Sequence, residues 1–176
     1  MYRSPARPPF VEGRPCTTCG TRLVLTARES DVLDLIALGK TNDQIADAHK
    51  ASLHAARTWV DNILDALHAT GRVQAVDTAC RVGLLNPPAT LRSSDEEPKV
   101  PELELEAFRL KAVGRSKKRI AQELSLSPHT VKSRLHRLYK RLGADGAAHA
   151  ALILHGLKLL PSSHPCHTSE TTGAAR

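Results

Sequence analysis

An all-α fold, built as two tandem four-helix units joined by a flexible linker, is predicted by three observations. Apolar residues recur at helical rather than alternating spacing through two segments of about 60 residues, 23–85 and 102–160. The two segments align without a gap through their first two-thirds at an offset of 75, which sets Gly39 on Gly114, Ile45 on Ile120, Ala46 on Ala121, Ser52 on Ser127, Ile63 on Leu138 and Leu67 on Leu142. Hydrophobic residues make up 41% of the 176-residue chain but aromatics only 3%, so any core is built from Leu, Val, Ile and Ala, as suits small helical domains.

The elements follow in order. Residues 1–22, "MYRSPARPPFVEGRPCTTCGTR", are punctuated by proline and show no periodicity, and read as an extended basic arm. Thr26 to Glu29, "TARE", is a capping-box pattern in which the threonine accepts from the amide of Glu29 and the glutamate reaches back. Val32, Leu33, Leu35 and Ile36 then form an apolar stripe ended by Gly39. A short helix is expected from Asn42 to His49. Ser52 is placed to cap a longer third helix with the seam Leu53, Ala56, Val60, Ile63 and Leu67, and a closing helix spans about Arg72 to Arg81. Residues 86–101, "NPPATLRSSDEEPKVP", are rich in proline, serine and acid and read as the linker. In the second copy Pro101 and three glutamates suit a helix start, and Gly114 ends that helix. Lys117 to Leu124 is the short helix. Ser127 and Pro128 open the long one, and about Asp145 to His155 closes the unit. Residues 161–176 are small and polar and read as a disordered tail.

A helix, a short helix, a tight turn, a long helix and a closing helix make a helix-turn-helix domain. The residues carry a resemblance at this point. "LTARESDVLDLIALGKTNDQIA", the closing "AVDTACRVGLL" and, in the second copy, "KKRIAQELSLSPHTVKSRLHRLYKRLGA" resemble the LuxR/FixJ-type DNA-binding domain over about two-thirds of the chain. The first copy carries the front of that pattern and the second its recognition half. "TVKSRLHRLYKRL" also resembles region four of bacterial sigma factors, which share the fold. Either resemblance implies double-stranded DNA as a partner, and the second adds RNA polymerase.

Charge divides the copies. From Leu25 to Leu85 there are six Lys/Arg against eight Asp/Glu, and from Glu102 to Leu160 twelve against five. The chain's net charge of +7 therefore sits in the second half and the N-terminal arm, the footprint of a polyanion partner or of a plain solvated surface. Stepping about 100° per residue from Val131 brings Leu135, Leu138 and Leu142 within about 40° of it, one narrow seam. His129, Lys132, Ser133, His136, Arg137 and Lys140 face away, with Thr130, Arg134 and Arg141 on a flank. Such a helix fits the major groove of B-DNA, about 12 Å wide. Lys132, Ser133 and His136, just after "TV" where the family's side chains enter the groove, are the base-reading candidates. Lys117, Lys118, Arg119, Thr130, Arg134, Arg137, Lys140 and Arg141 are the phosphate candidates. A solvated face normally interleaves glutamate with lysine, and this helix has no acid at all.

The first copy keeps the seam but has Arg57, Thr58 and Asp61 at the reader positions, Trp59 in the slot of Arg134, and Asp65 and Ala66 in those of Lys140 and Arg141. Asp61 and Asp65 would repel phosphates. Trp59 reads equally as packing on a neighbouring helix or as an anchor at a partner interface. The expectation is a division of labour in a sequence-specific transcriptional regulator. The second copy reads DNA, while the first serves dimerisation, contact with another regulator or with its sister, or weaker DNA binding. A non-DNA adaptor acting through the first unit is the rival from another class.

Other constellations carry less. Cys16 and Cys19 form a C-x2-C pair that His164 and Cys166 complete to a zinc set only if the termini meet. Free thiols on an arm are the plainer reading, and no cofactor is expected. No phosphate loop, nucleophile elbow or HExxH occurs, so an enzyme is not expected. No signal peptide is read, and the longest apolar run, Ala147 to Leu160, is interrupted by His149, His155 and Lys158. A cytoplasmic, nucleoid-associated bacterial or phage-borne protein without membrane contact is the expectation.

Overall fold

A computed structural model describes residues 10–13, 23–87 and 99–161. The proposed zinc set Cys16, Cys19, His164 and Cys166, most of the arm, the middle of the linker and the tail lie outside the described residues.

The first unit comprises β1 (Phe10–Glu12), β2 (Val24–Thr26), α1 (Ala27–Ala37), α2 (Asn42–Ala48), α3 (Leu53–Ala66) and α4 (Arg72–Val82). The second comprises α5 (Glu102–Ala112), α6 (Lys117–Glu123), α7 (Pro128–Arg141) and α8 (Ala147–Gly156). The described residues are thus all-α but for one two-stranded antiparallel ribbon with Val11 opposite Leu25, which the sequence reading did not anticipate. Gly13, just past β1, lies where an added Cβ would come within 3.1 Å of Val82, so the ribbon seats on the end of α4.

Local chemistry sets each helix start. Thr26 and Glu29 close the capping box, with the Glu29 amide donating to Thr26 Oγ1 at 3.2 Å and the Thr26 amide to Glu29 Oε2 at 2.9 Å. Thr41 and Gln44 form a second box that the sequence reading passed over. Ser52, Ser116 and Ser127 accept from the amides of Ala55, Arg119 and Thr130. Pro101 is itself the N-cap of α5, and Pro128 stands in the first turn of α7, where its missing N–H costs nothing.

Helix ends extend the repeat beyond the two-thirds visible in the sequence. Left-handed residues follow every helix at the same offset: Gly39 and Gly114, Lys50 and Ser125, His68 and Gly143, Gly83 and Lys158. At Gly39 the amide donates to the Ile36 carbonyl and that of Lys40 to Leu35, the paired bonds of a Schellman turn, and Gly114 and Arg115 repeat them on Lys111 and Leu110.

Within each unit the long helix packs on the first and the short ones. Val131, Leu135 and Leu138 bury the seam of α7 as its periodicity requires, and Ala56, Val60 and Ile63 do so for α3. Phe108 of α5, fully buried, meets Tyr139 of α7 edge-on at 6.2 Å. Burying each such large side chain contributes roughly 1.5–3 kcal/mol.

The two units also pack on each other. α4 lies against α8, α1 against α8 and α5 against α4, an arrangement close to a two-fold axis within one chain. Their buried residues form one continuous core. α8 is apolar on nearly every side, with Ala148, Ala150, Ala151, Leu152, Ile153, Leu154 and Gly156 buried, because it faces both its own unit and the other. Gly39 and Gly114 take a second role here. A Cβ on Gly39 would approach Asp145 at 3.2 Å, and one on Gly114 would approach Gln74 at 2.7 Å and Thr70 at 2.9 Å. Across the seam, His155 Nε2 lies 2.8 Å from Asp77 Oδ1, while Arg81 Nε donates to Asp77 Oδ2 at 2.7 Å. All three side chains are buried. Burial and the neighbouring Asp77 carboxylate push the Cys80 thiol up to about 12, against the opposing pull of Arg81.

Candidate nucleic-acid interface

α7 carries its cations outward. Lys132, His136, Arg137, Lys140 and Arg141 are exposed, and Thr130, Ser133 and Arg134 are half-buried. The helix is held at its start by Ser127, whose hydroxyl lies 2.8 Å from that of Thr130. Lys117, Lys118 and Arg119 stand exposed at the beginning of α6. The base-reading and phosphate candidates therefore fall on the neighbouring helices α6 and α7 of one unit.

Their pairing separates them. Arg119 is tied to Glu123 at 3.0 Å, and Arg141 lies 3.8 Å from the buried Glu104 of α5. The acid that α7 lacks in its own sequence is thus supplied to Arg141 by another helix. Arg134 has a buried Nε without an acceptor among the described residues. Lys117, Lys118, Lys132, Arg137 and Lys140 have no ion pair among the described residues, so their charge is uncompensated.

A cavity of about 270 Å³ opens beside this face. It is lined by Lys111, Lys117, Lys132, Leu135, His136, Tyr139 and Ala147. Lys111 was not singled out from the sequence. Its amine is pulled below the ordinary lysine value by burial and then by the like charge of Lys117. The signal lay in the repeat: Lys111 stands at the position of Ile36, a fully buried core residue of the first unit. Lys111 also lines a second cavity, of about 260 Å³, with Arg115 and Gly114 against Thr70, Gly71 and the first turn of α4.

The same face of the first unit differs. On α3, Arg57, Thr58, Asp61 and Asp65 are exposed, and Thr58 turns its hydroxyl back to the His54 carbonyl. Trp59 is half-buried, edge-on to His49 at 5.4 Å and beneath the Arg28 guanidinium at 5.2 Å. These contacts occupy the ring within its own unit. In the corner matching the cavity, Arg72 donates to the Lys40 carbonyl at 2.6 Å and to Asn42 Oδ1.

Among the described residues no group of three or more His, Cys, Asp or Glu is placed to hold a metal ion, and no helix is long and apolar enough to cross a membrane.

Comparison with known proteins agrees with the repeat. The chain is 40% identical over 62 residues to the Response regulator protein VraR of Staphylococcus aureus, of Staphylococcus saprophyticus subsp. saprophyticus and of Staphylococcus epidermidis. That match covers 35% of this chain and 30% of each relative, so the chain spans under a third of the length of the curated relatives it matches. No solved structure matches. The model of the family described as "Bacterial regulatory proteins, luxR family" matches twice, over residues 23–79 and again over 102–154, more than half of the sequence. With both copies of the fold and both matches in register, the chain belongs to the luxR family of bacterial regulatory proteins.

Proposed function

We propose that the chain is a sequence-specific DNA-binding transcriptional regulator in which the second unit reads the major groove. α7 enters the groove and Lys132, Ser133 and His136 reach base edges. Lys132 donates to guanine O6 and N7, and Ser133 serves either base. Lys117, Lys118, Arg137 and Lys140 are the strongest phosphate contacts, being exposed and unpaired, with Thr130, Arg134, Arg119 and Arg141 in support. The first unit acts chiefly as the packing partner of the second, and its α3 adds at most weak DNA contact. The nucleoid is the site of action.

One observation carries this reading. Two helices on matching backbones, in register, differ in charge on the same exposed face: α7 presents His136 and the unpaired Lys140 where α3 presents Asp61 and Asp65. Family membership and the likeness to response regulators support the regulatory role.

Fluorescence anisotropy of the full chain with labelled duplex DNA across a salt series tests it. Five or six phosphate contacts give a log–log slope near about −5. Lys132→Ala should weaken binding by on the order of 1–3 kcal/mol and relax sequence preference. Arg57→Ala in α3 should change it by far less. Sequence-blind binding, or equal effects from both, would remove the reading.

A further inference from the structure

The cavity beside α7 has no acid in its lining and three ammonium groups around it. Lys111 is half-buried there, with no hydrogen bond or ion pair among the described residues. A half-buried cation beside the like charge of Lys117 is an unfavourable arrangement unless something negative completes it.

The sister unit gives the control for this corner. At an offset of 75, Ile36 stands for Lys111, Asn42 for Lys117, Arg57 for Lys132, Asp61 for His136 and Arg72 for Ala147. In the first unit Arg72 crosses the corner and spends its guanidinium on the Lys40 carbonyl and Asn42. In the second unit that plug is a methyl group, and Lys111 and Lys117 join the wall cation that both units carry, Arg57 in one and Lys132 in the other. Helix bounds and left-handed positions match in the two units, so the difference in charge comes from the side chains.

We infer that this corner of the second unit is a seat for a phosphate group, filled in the DNA complex by a backbone phosphate next to the bases that α7 reads. Lys111 and Lys117 hold it from the α5 and α6 side, and Lys132, whose amine serves the base edge, lines it from α7. The source of the phosphate rests on the reading of α7 as the DNA-facing helix, whereas the seat stands on the cavity and its charge.

The experiment uses the full chain, as wild type and as Lys111→Met, Lys117→Met, Lys111→Arg and, as an equal change of charge elsewhere, Lys158→Met. Methionine at 111 restores an apolar residue where the first unit has Ile36, so the fold should tolerate it. Duplex binding is read by anisotropy from about 50 to 200 mM salt, and backbone amide shifts are followed on titrating inorganic phosphate against chloride at matched ionic strength. The expected result is a slope shallower by about one in both Met variants. Over that range each then loses about three- to fourfold less affinity than wild type. Both bind more weakly on every sequence, Lys111→Arg recovers the slope, Lys158→Met leaves it unchanged, and phosphate shifts the amides of 111–118 and 147. Saturable phosphate binding with unchanged slopes would keep the seat and overturn the DNA phosphate as its occupant, leaving a small phosphorylated ligand. The same phosphate shifts in a wild type that binds no DNA would leave the seat standing and remove the regulator reading instead. An effect of Lys111→Met without one of Lys117→Met would put the contact in the cavity against α4 and overturn the proposal. So would unchanged slopes together with no phosphate-specific shift.

Discussion

α3 and α7 begin and end 75 residues apart, are both capped by serine, and bury matching seams, yet one shows exposed aspartates where the other shows a histidine and a bare lysine. The corner beside them diverges too, plugged by Arg72 in one unit and open and cationic in the other. The helix ends, by contrast, keep left-handed residues at all four matching positions. Backbone-defining positions have thus stayed together while surface-defining ones have separated. A face is recoded by side chains that the fold does not need, so a shared fold does not carry a shared function from one unit to the other.

The largest expected effect falls where the units meet and where the repeat has no symmetry. Asp77 holds Arg81 and His155, whereas the matching position in α8 is Leu152. Asp77→Ala removes the buried carboxylate that Arg81 and His155 share and should cost about 3–5 kcal/mol. Urea unfolding of the full chain would read this, and a loss below about 1 kcal/mol would mean that water replaces the carboxylate. Exchanging charge between the recognition faces comes next. His136→Asp should weaken DNA binding by on the order of 1–3 kcal/mol, and Asp61→His should leave it unchanged or slightly tighter. A loss from the second exchange would show that α3 uses its aspartate on a base.

Two glycines separate backbone strain from contact. Gly143→Ala puts a side chain at φ +61 with nothing within 4 Å and should cost about 1 kcal/mol. Gly114→Ala, at φ +85, also drives its Cβ to 2.7 Å from Gln74 across the unit boundary, and should cost about 2 kcal/mol. Equal thermal shifts would mean that the boundary yields freely. The smallest effect is a gain: His68→Gly, matching Gly143, relieves a left-handed residue at φ +50 and should stabilise by about 0.5 kcal/mol in the same assay.

Legibility in the sequence followed the range of the forces. Caps act over three residues, so Thr26 with Glu29, Ser52, Ser127 and Pro128 could be read directly, and the seams of α3 and α7 follow from one period. β1 could not, because three residues without alternation carry no pattern and it pairs across ten or more positions. The packing of α4 on α8 was invisible for another reason: the apolar run of α8 says that it is covered on all sides, but not by what. Asp77 and His155, 78 residues apart, meet only in three dimensions. Lys111 is the intermediate case. No rule about lysine marks it, but comparing the two copies shows a cation in a slot that its sister fills with buried isoleucine.

The seating of α4 on α8 has a consequence for dosage. When two recognition units must find each other in solution, the paired form grows with the square of chain concentration and disappears on dilution. Here the partner is always present at the effective concentration set by the tether, so pairing is a first-order event fixed at folding. The pairing of the two units within one chain therefore does not change on dilution.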